Sequence, residues 1–255
     1  MNNYFKTYNS YKMKITSKFL AALAISIAFT SASVAGITVS RDTDIVDFAI
    51  NSVDGSMFHF GVHAEGGTRA MEYYGRDVDI DTSRYVGFLG VDVTRSITLF
   101  ATMGTMISEE NDFYNFNAEN SNAFTFGAGL MFNLIDSDQF ELLTTITRYR
   151  LQADAEVYYA DFEDYSWTEF DAAITFQLHN EDADNNLQIF PNQYAIFAGP
   201  CVSVISSDEL DQSSGSIFGI KGGISLLFTG NTYITGGFEY YGDSSMYYGT
   251  IGVRF

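Results

Sequence analysis

A single cysteine, Cys201, stands in the whole chain, so no intramolecular disulfide can form and the fold must be held by burial and strand pairing alone. Prolines number two, Pro191 and Pro200, against 22 glycines, 17 tyrosines and 23 phenylalanines, a balance that favours strands and disfavours a helical bundle. Basic residues are scarce: 13 lysines and arginines face 32 acids, for a formal net charge of −19, which excludes nucleic acid as a partner. Beyond residue 35 no run reaches the roughly 18 consecutive apolar residues of a spanning helix. If this chain crosses a membrane, only alternation can carry it.

The first 35 residues contain no acid at all. Lys6, Lys12, Lys14 and Lys18 precede an apolar run over 19–29, and Ser33-Val34-Ala35 supplies a small-x-small site before Gly36, the pattern of a cleaved secretory signal peptide. The run is too short to span, and no cysteine follows it to accept a lipid, so export without a lipid anchor is expected. Met13 offers a second start besides Met1. Residues 36–55 are polar and mixed and read as a periplasmic arm, which leaves 56–255 for one closed domain.

The last nine residues carry the clearest pattern. Tyr247, Gly249, Ile251, Val253 and Phe255 form one face and Tyr248, Thr250, Gly252 and Arg254 the other. Period two over about nine to eleven residues is what one tilted strand needs to cross a bilayer with lipid on one side and lumen on the other. This ending resembles the C-terminal signal strand of bacterial outer-membrane β-barrels, in which alternating apolar residues lead to a terminal Phe. The resemblance implies that the barrel-assembly machinery reads this strand. It also implies that lipid and lipopolysaccharide surround the protein and that it resides in the outer membrane.

The same alternation recurs upstream. It predicts strands over 57–65, 84–93, 97–108, 122–134, 139–153, 167–178, 193–205, 217–228 and 232–241, making ten with the last. Eight and twelve are the neighbouring counts. The clearest segment sets Phe124, Phe126, Ala128, Leu130, Phe132 and Leu134 against Thr125, Gly127, Gly129, Met131 and Asn133. Parity changes within 139–153, which predicts a bulge near Thr147. Pro200 cannot donate to a ladder and predicts another at Gly199-Pro200. With Phe255 at the periplasmic rim, the connections 94–96, 135–138 and 229–231 are short and inside, while 66–83, 109–121, 154–166 and 206–216 are long and outside. The fourth inner connection, 179–192, is unusually long. Short turns in and long loops out is the asymmetry of outer-membrane barrels. In architecture the whole exported chain is similar to the small OmpA-like and opacity-type barrels, an all-β antiparallel transmembrane barrel expected to be a monomer. That superfamily includes adhesins, structural barrels, narrow pores and a few enzymes, so the fold does not choose a function.

Few residues suggest chemistry. His59, His63 and Glu65 share a lumen face, but at ~3.3 Å per residue the two histidines are ~13 Å apart and His63 and Glu65 ~7 Å. No two can then share a metal without a ligand from another strand. Asp77, Asp79 and Asp81 imitate the start of a calcium loop, yet its sixth and twelfth positions are Thr82 and Phe88, not Gly and Glu. They read as a solvated strand edge, with weak divalent bridging to lipopolysaccharide as the alternative. The ten-stranded omptin proteases carry an Asp-x-His pair that is absent here, and His179 falls in the inner turn 179–192.

Glu169, Asp171 and Glu239 face Lys221 and Arg254 across the lumen, with Arg148 or Arg150 joining according to the bulge. The acidic, aromatic loops 109–116 and 154–165, with Tyr73, Tyr74, Trp167, Tyr240, Tyr241, Tyr247 and Tyr248, read either as an interfacial girdle or as a recognition surface. The expected role is therefore that of a non-enzymatic surface barrel, structural or binding, with no cofactor, metal or catalytic residue. The first alternative is a narrow cation-preferring pore along inward glycines such as Gly61, Gly129, Gly223 and Gly252. A rim or lumen hydrolase stands behind both.

Overall fold

The computed structural model describes residues 58–254 apart from 74–75, 95, 111–120, 138–139, 143–144, 164, 182–190, 209, 213–216 and 229–231. The expected signal peptide 1–35, the expected arm 36–55 and Phe255 lie outside the described residues. Ten long strands follow one another: β1 (Phe58–Tyr73), β2 (Arg76–Asp92), β3 (Ile97–Glu110), β4 (Ser121–Asp136), β6 (Thr145–Asp161), β7 (Ser166–Glu181), β8 (Pro191–Ser207), β10 (Phe218–Phe228), β11 (Thr232–Tyr240) and β12 (Ser245–Arg254). Two short ones, β5 (Phe140–Leu142) and β9 (Asp211–Gln212), complete the set. Each long strand is antiparallel to the next, and β12 pairs with β1 from His59↔Arg254 to Thr68↔Ser245, closing a ten-stranded barrel. Among the described residues no helix is long and apolar enough to cross a membrane.

Alternation decides which way side chains point, and it inverts along the strands. In the half nearer Phe58 and Arg254, here the terminal end, the outer face is apolar. Every one of the ten long strands contributes to it, for example Phe60, Leu89, Met103, Phe126, Val157, Phe176, Ile196, Ile224, Phe238 and Ile251, all exposed. Toward the opposite, distal end the pattern reverses. Asp77, Asp79, Glu109, Asp161 and Asp208 are exposed on the outside, while Val78, Ile80, Met106, Tyr158, Trp167 and Ile205 are buried inside. An apolar belt thus gives way to an acidic collar around an apolar core.

The wall is uneven in height. Strands β10, β11 and β12 have 11, 9 and 10 residues, whereas β1, β2, β6, β7 and β8 have 16 or 17. Above the three short strands β9 fills the gap, pairing Met71↔Gln212 and Glu72↔Asp211 with β1. On its other side the Gln212 amide accepts from Ile205 N at 2.8 Å and donates to Ser203 O at 2.9 Å on β8. The molecule therefore has a wide lower storey of ten strands and a narrower upper storey closed by β9. The narrower one is filled by Met71, Met106, Phe162, Tyr165, Trp167 and their neighbours, with Leu210 packed against them.

Several expected loops and bulges are corrected. Residues 66–73 and 76–83 are not a loop but the tall upper parts of the β1–β2 hairpin, paired through Tyr73↔Arg76. Most of 154–166 is likewise the β6–β7 hairpin, paired through Asp161↔Ser166. Loop length consequently does not separate the two ends; strand height does. The parity change expected as a bulge near Thr147 arises instead because Phe140–Leu142 is a separate strand that pairs antiparallel with the start of β6, from Phe140↔Thr147 to Leu142↔Thr145. A real bulge lies on β4, where the register shifts between Asn133 and Ile135. At Pro200 the ladder to β7 is interrupted between Ala173↔Cys201 and Phe176↔Ala198 and resumes in the same register, so a missing donor costs bonds there without bulging the strand. His179, expected in a turn, is within β7.

Candidate functional site

Charged side chains from many strands converge in the lumen, which is layered from the terminal end upward. At the rim Asp92 gathers three partners: His59 Nε2 at 2.9 Å, the Thr98 hydroxyl donating at 2.5 Å and Arg254 at 2.7 Å. Arg150 donates to Asp136 at 2.7 Å nearby. Higher up, His63 Nδ1 is 2.8 Å from the Thr250 hydroxyl, and its Nε2 is 3.3 Å from Glu65. The reach of two side chains on one strand closes the gap that their backbone spacing implied, so the expectation that His63 and Glu65 stand apart is corrected. Even so, no three His, Cys, Asp or Glu side chains form a metal-holding group among the described residues.

At mid-height Arg84 is buried between strands, donating to Glu65 at 3.1 Å, to Thr102 at 2.9 Å and to Glu156, with its guanidinium 3.9 Å above the Tyr158 ring. Across from it Lys221 bridges Asp154 at 3.1 Å and Glu239 at 3.2 Å. Tyr241 donates to the same Glu239 at 2.6 Å. Just above, Glu169 is fully buried and accepts from Arg69, from the Tyr158 hydroxyl, from Trp167 Nε1 at 3.0 Å and from the Ser203 hydroxyl at 2.6 Å. Arg69 also lies over the Tyr241 ring at 5.0 Å. The apolar core begins directly above this layer.

Beneath the Glu169 layer lies a cavity of about 690 Å³, walled from rim residues such as Arg254 and His179 up to Glu65, Glu156 and Asp171. None of the buried apolar residues of the upper storey lines it. The inward glycines expected to leave a water path are covered by rings: a Cβ on Gly61 would meet Phe88 at 2.6 Å, one on Gly129 Phe100 at 2.3 Å, and one on Gly252 Tyr233 at 2.5 Å.

All eight lumen residues expected from parity, His59, His63, Glu65, Glu169, Asp171, Lys221, Glu239 and Arg254, lie on inward-facing positions, and seven of them have a partner named above. The expected opposition of Glu169 and Asp171 to Lys221 and Arg254 is corrected. Glu169 pairs with Arg69, Arg254 belongs to the rim, and one carboxylate oxygen of Asp171 is buried without a partner. Sequence reasoning missed Arg69, Arg84, Asp92, Asp154 and Glu156 as lumen residues with partners. The signal was available: Arg69 and Met71 continue the inward parity of His63 and Glu65. Trp167, Tyr241 and Tyr248, expected in an outer girdle or recognition surface, point inward, and the first two are fully buried. Of the strand expected to signal assembly, Tyr247, Gly249, Ile251 and Val253 face outward on β12.

No family model matches the chain, and no curated protein matches it. Among solved structures, the translocator domain of the autotransporter NalP from Neisseria meningitidis is 11% identical with a TM-score of 0.31, over 94% of this chain and 97% of that one. The transport unit of the autotransporter AIDA-I from Escherichia coli is 10% identical with a TM-score of 0.37, over 89% of this chain and 97% of that one. Likenesses this distant carry no functional argument, and the fold rests on the closed strand ladder itself.

Proposed function

We propose that this chain is an outer-membrane β-barrel, monomeric and non-enzymatic, that holds its acidic collar at the cell surface in a structural or binding role. The observation that carries this reading is the unbroken apolar belt around all ten strands. A water-soluble monomer rarely exposes contiguous apolar area beyond a few hundred Å², whereas a bilayer requires such a belt and a closed ladder with no free edge. The leader 1–35 would bring the chain across the inner membrane, and the outward face of β12 would engage the assembly machinery. Lipid then surrounds the belt, and lipopolysaccharide phosphates meet the carboxylates of the collar through divalent ions. The filled upper storey supports a closed surface protein over the cation-preferring pore.

Cell fractionation with gels of boiled and unboiled samples tests the reading. Recovery in the outer membrane with a mobility shift on boiling is the expected result. Soluble recovery without a shift would overturn it.

A further inference from the structure

Each cation of the central lumen is matched to carboxylates that leave Asp171 over. Arg69 is committed to Glu169, Arg84 to Glu65 and Glu156, and Lys221 to Asp154 and Glu239. Asp171 forms no ion pair with any of the three. It lines the cavity, and its Oδ1 is shielded from solvent and has no hydrogen-bond partner. Placing a negative charge on Asp171, buried beside Glu169 and Glu239 and attracted by Arg69 only from beyond ion-pair distance, is costly, and a ligand cation that pairs with it offsets that cost.

The surroundings select the kind of cation. No metal-holding group of three side chains exists among the described residues, so a divalent ion, which wants six or more oxygens, finds too few. Aromatic rings, by contrast, stand among the polar side chains of the wall: Phe88, Phe100, Phe197, Tyr233 and Tyr248 all line the cavity. The lumen already uses the corresponding geometry, since the Lys221 ammonium sits 5.3 Å from the centre of the Tyr248 ring. One carboxylate and a ring-lined wall are the elements that hold an organic ammonium. The volume, about 690 Å³, lies within the few hundred to ~1,000 Å³ of small-molecule sites. At the mouth Arg150 is paired with Asp136 and Arg254 with Asp92, so two of the rim cations are balanced.

We propose that the lower storey is a binding site for a small organic ammonium compound, reached from the terminal end, with the ammonium on Asp171 and the apolar body against the aromatic wall. Titration calorimetry on the detergent-purified full chain tests this with three probes of one shape: benzylammonium, benzyl alcohol and benzoate. Saturable binding of benzylammonium alone is expected, weakened at least tenfold in Asp171→Asn and unchanged in Asp79→Asn, whose side chain is exposed on the collar. The boiling shift of each variant reports that its barrel is closed, and the comparison of ammonium with alcohol on the unaltered chain needs no variant. Absence of saturable benzylammonium binding, equal binding of the alcohol or benzoate, or full binding by a closed Asp171→Asn barrel would each overturn the proposal.

Discussion

Arg84 illustrates what a single residue carries here. Its guanidinium holds two carboxylates from different strands and covers a tyrosine ring, and it is itself almost wholly buried. Removing it leaves Glu65 and Glu156 facing each other without a cation, and breaking a buried pair in this way costs about 3–5 kcal/mol. Arg84→Met is therefore expected to lower the unfolding free energy of the detergent-folded barrel, read from urea denaturation, by about 3–5 kcal/mol. Arg254→Ala, at a rim site 47% exposed, should change stability by less than ~1 kcal/mol. Parity alone told which residues face the lumen. It could not tell which of them meet, because several partners, such as Lys221 with Asp154 and Arg84 with Glu156, sit on non-adjacent strands and their distances depend on how the barrel closes. Arg69 shows the limit: its inward position follows from the spacing of His63 and Glu65, but its pairing with Glu169 joins β1 to β7 across the interior.

At the scale of elements, strand tops were harder to read than strand bottoms, for a physical reason. The lower halves put apolar residues outside and polar ones inside, the upper halves do the reverse, and a run that switches sense halfway resembles a strand followed by an acidic loop. Asp154 to Asp161 was misread in this manner, since its acids Asp154 and Glu156 point inward while its tip carries Asp161 outward. The switch also places the energetic boundary. Met103, 64% exposed within the belt, should tolerate lysine poorly: Met103→Lys is expected to cost about 2–4 kcal/mol in lipid, and Asp79→Lys on the collar less than ~1 kcal/mol, by the same denaturation measurement in vesicles. Close strand approach gives a second test. A Cβ on Gly104 would lie 2.0 Å from the Tyr85 carbonyl oxygen, a backbone atom that cannot move aside, whereas one on Gly87 comes no nearer than 3.9 Å to any atom. Gly104→Ala should destabilise measurably, by more than ~1 kcal/mol, and Gly87→Ala by less than ~0.5 kcal/mol.

For the whole molecule, the two storeys imply a vessel closed at one end. The unaltered protein is expected to give no single-channel conductance in planar bilayers, since side chains fill the upper cross-section. Truncating two of its largest members together, Met106→Ala and Trp167→Ala, should open steady conductance. Conductance in the unaltered barrel would instead favour the cation-preferring pore.

The seam between the first and last strands sets a condition on how this shape can come about. His63 and Thr250 touch although they stand 187 positions apart, and every pair along β1 and β12 is similarly remote. During synthesis β1 emerges early and must wait for its second neighbour until all the others exist. Throughout that interval it presents an unpaired edge, a template for any passing strand. A chain interrupted before β12 would keep that edge for good. Custody of the unfinished polypeptide is thus as much a requirement of this design as the membrane that finally receives it.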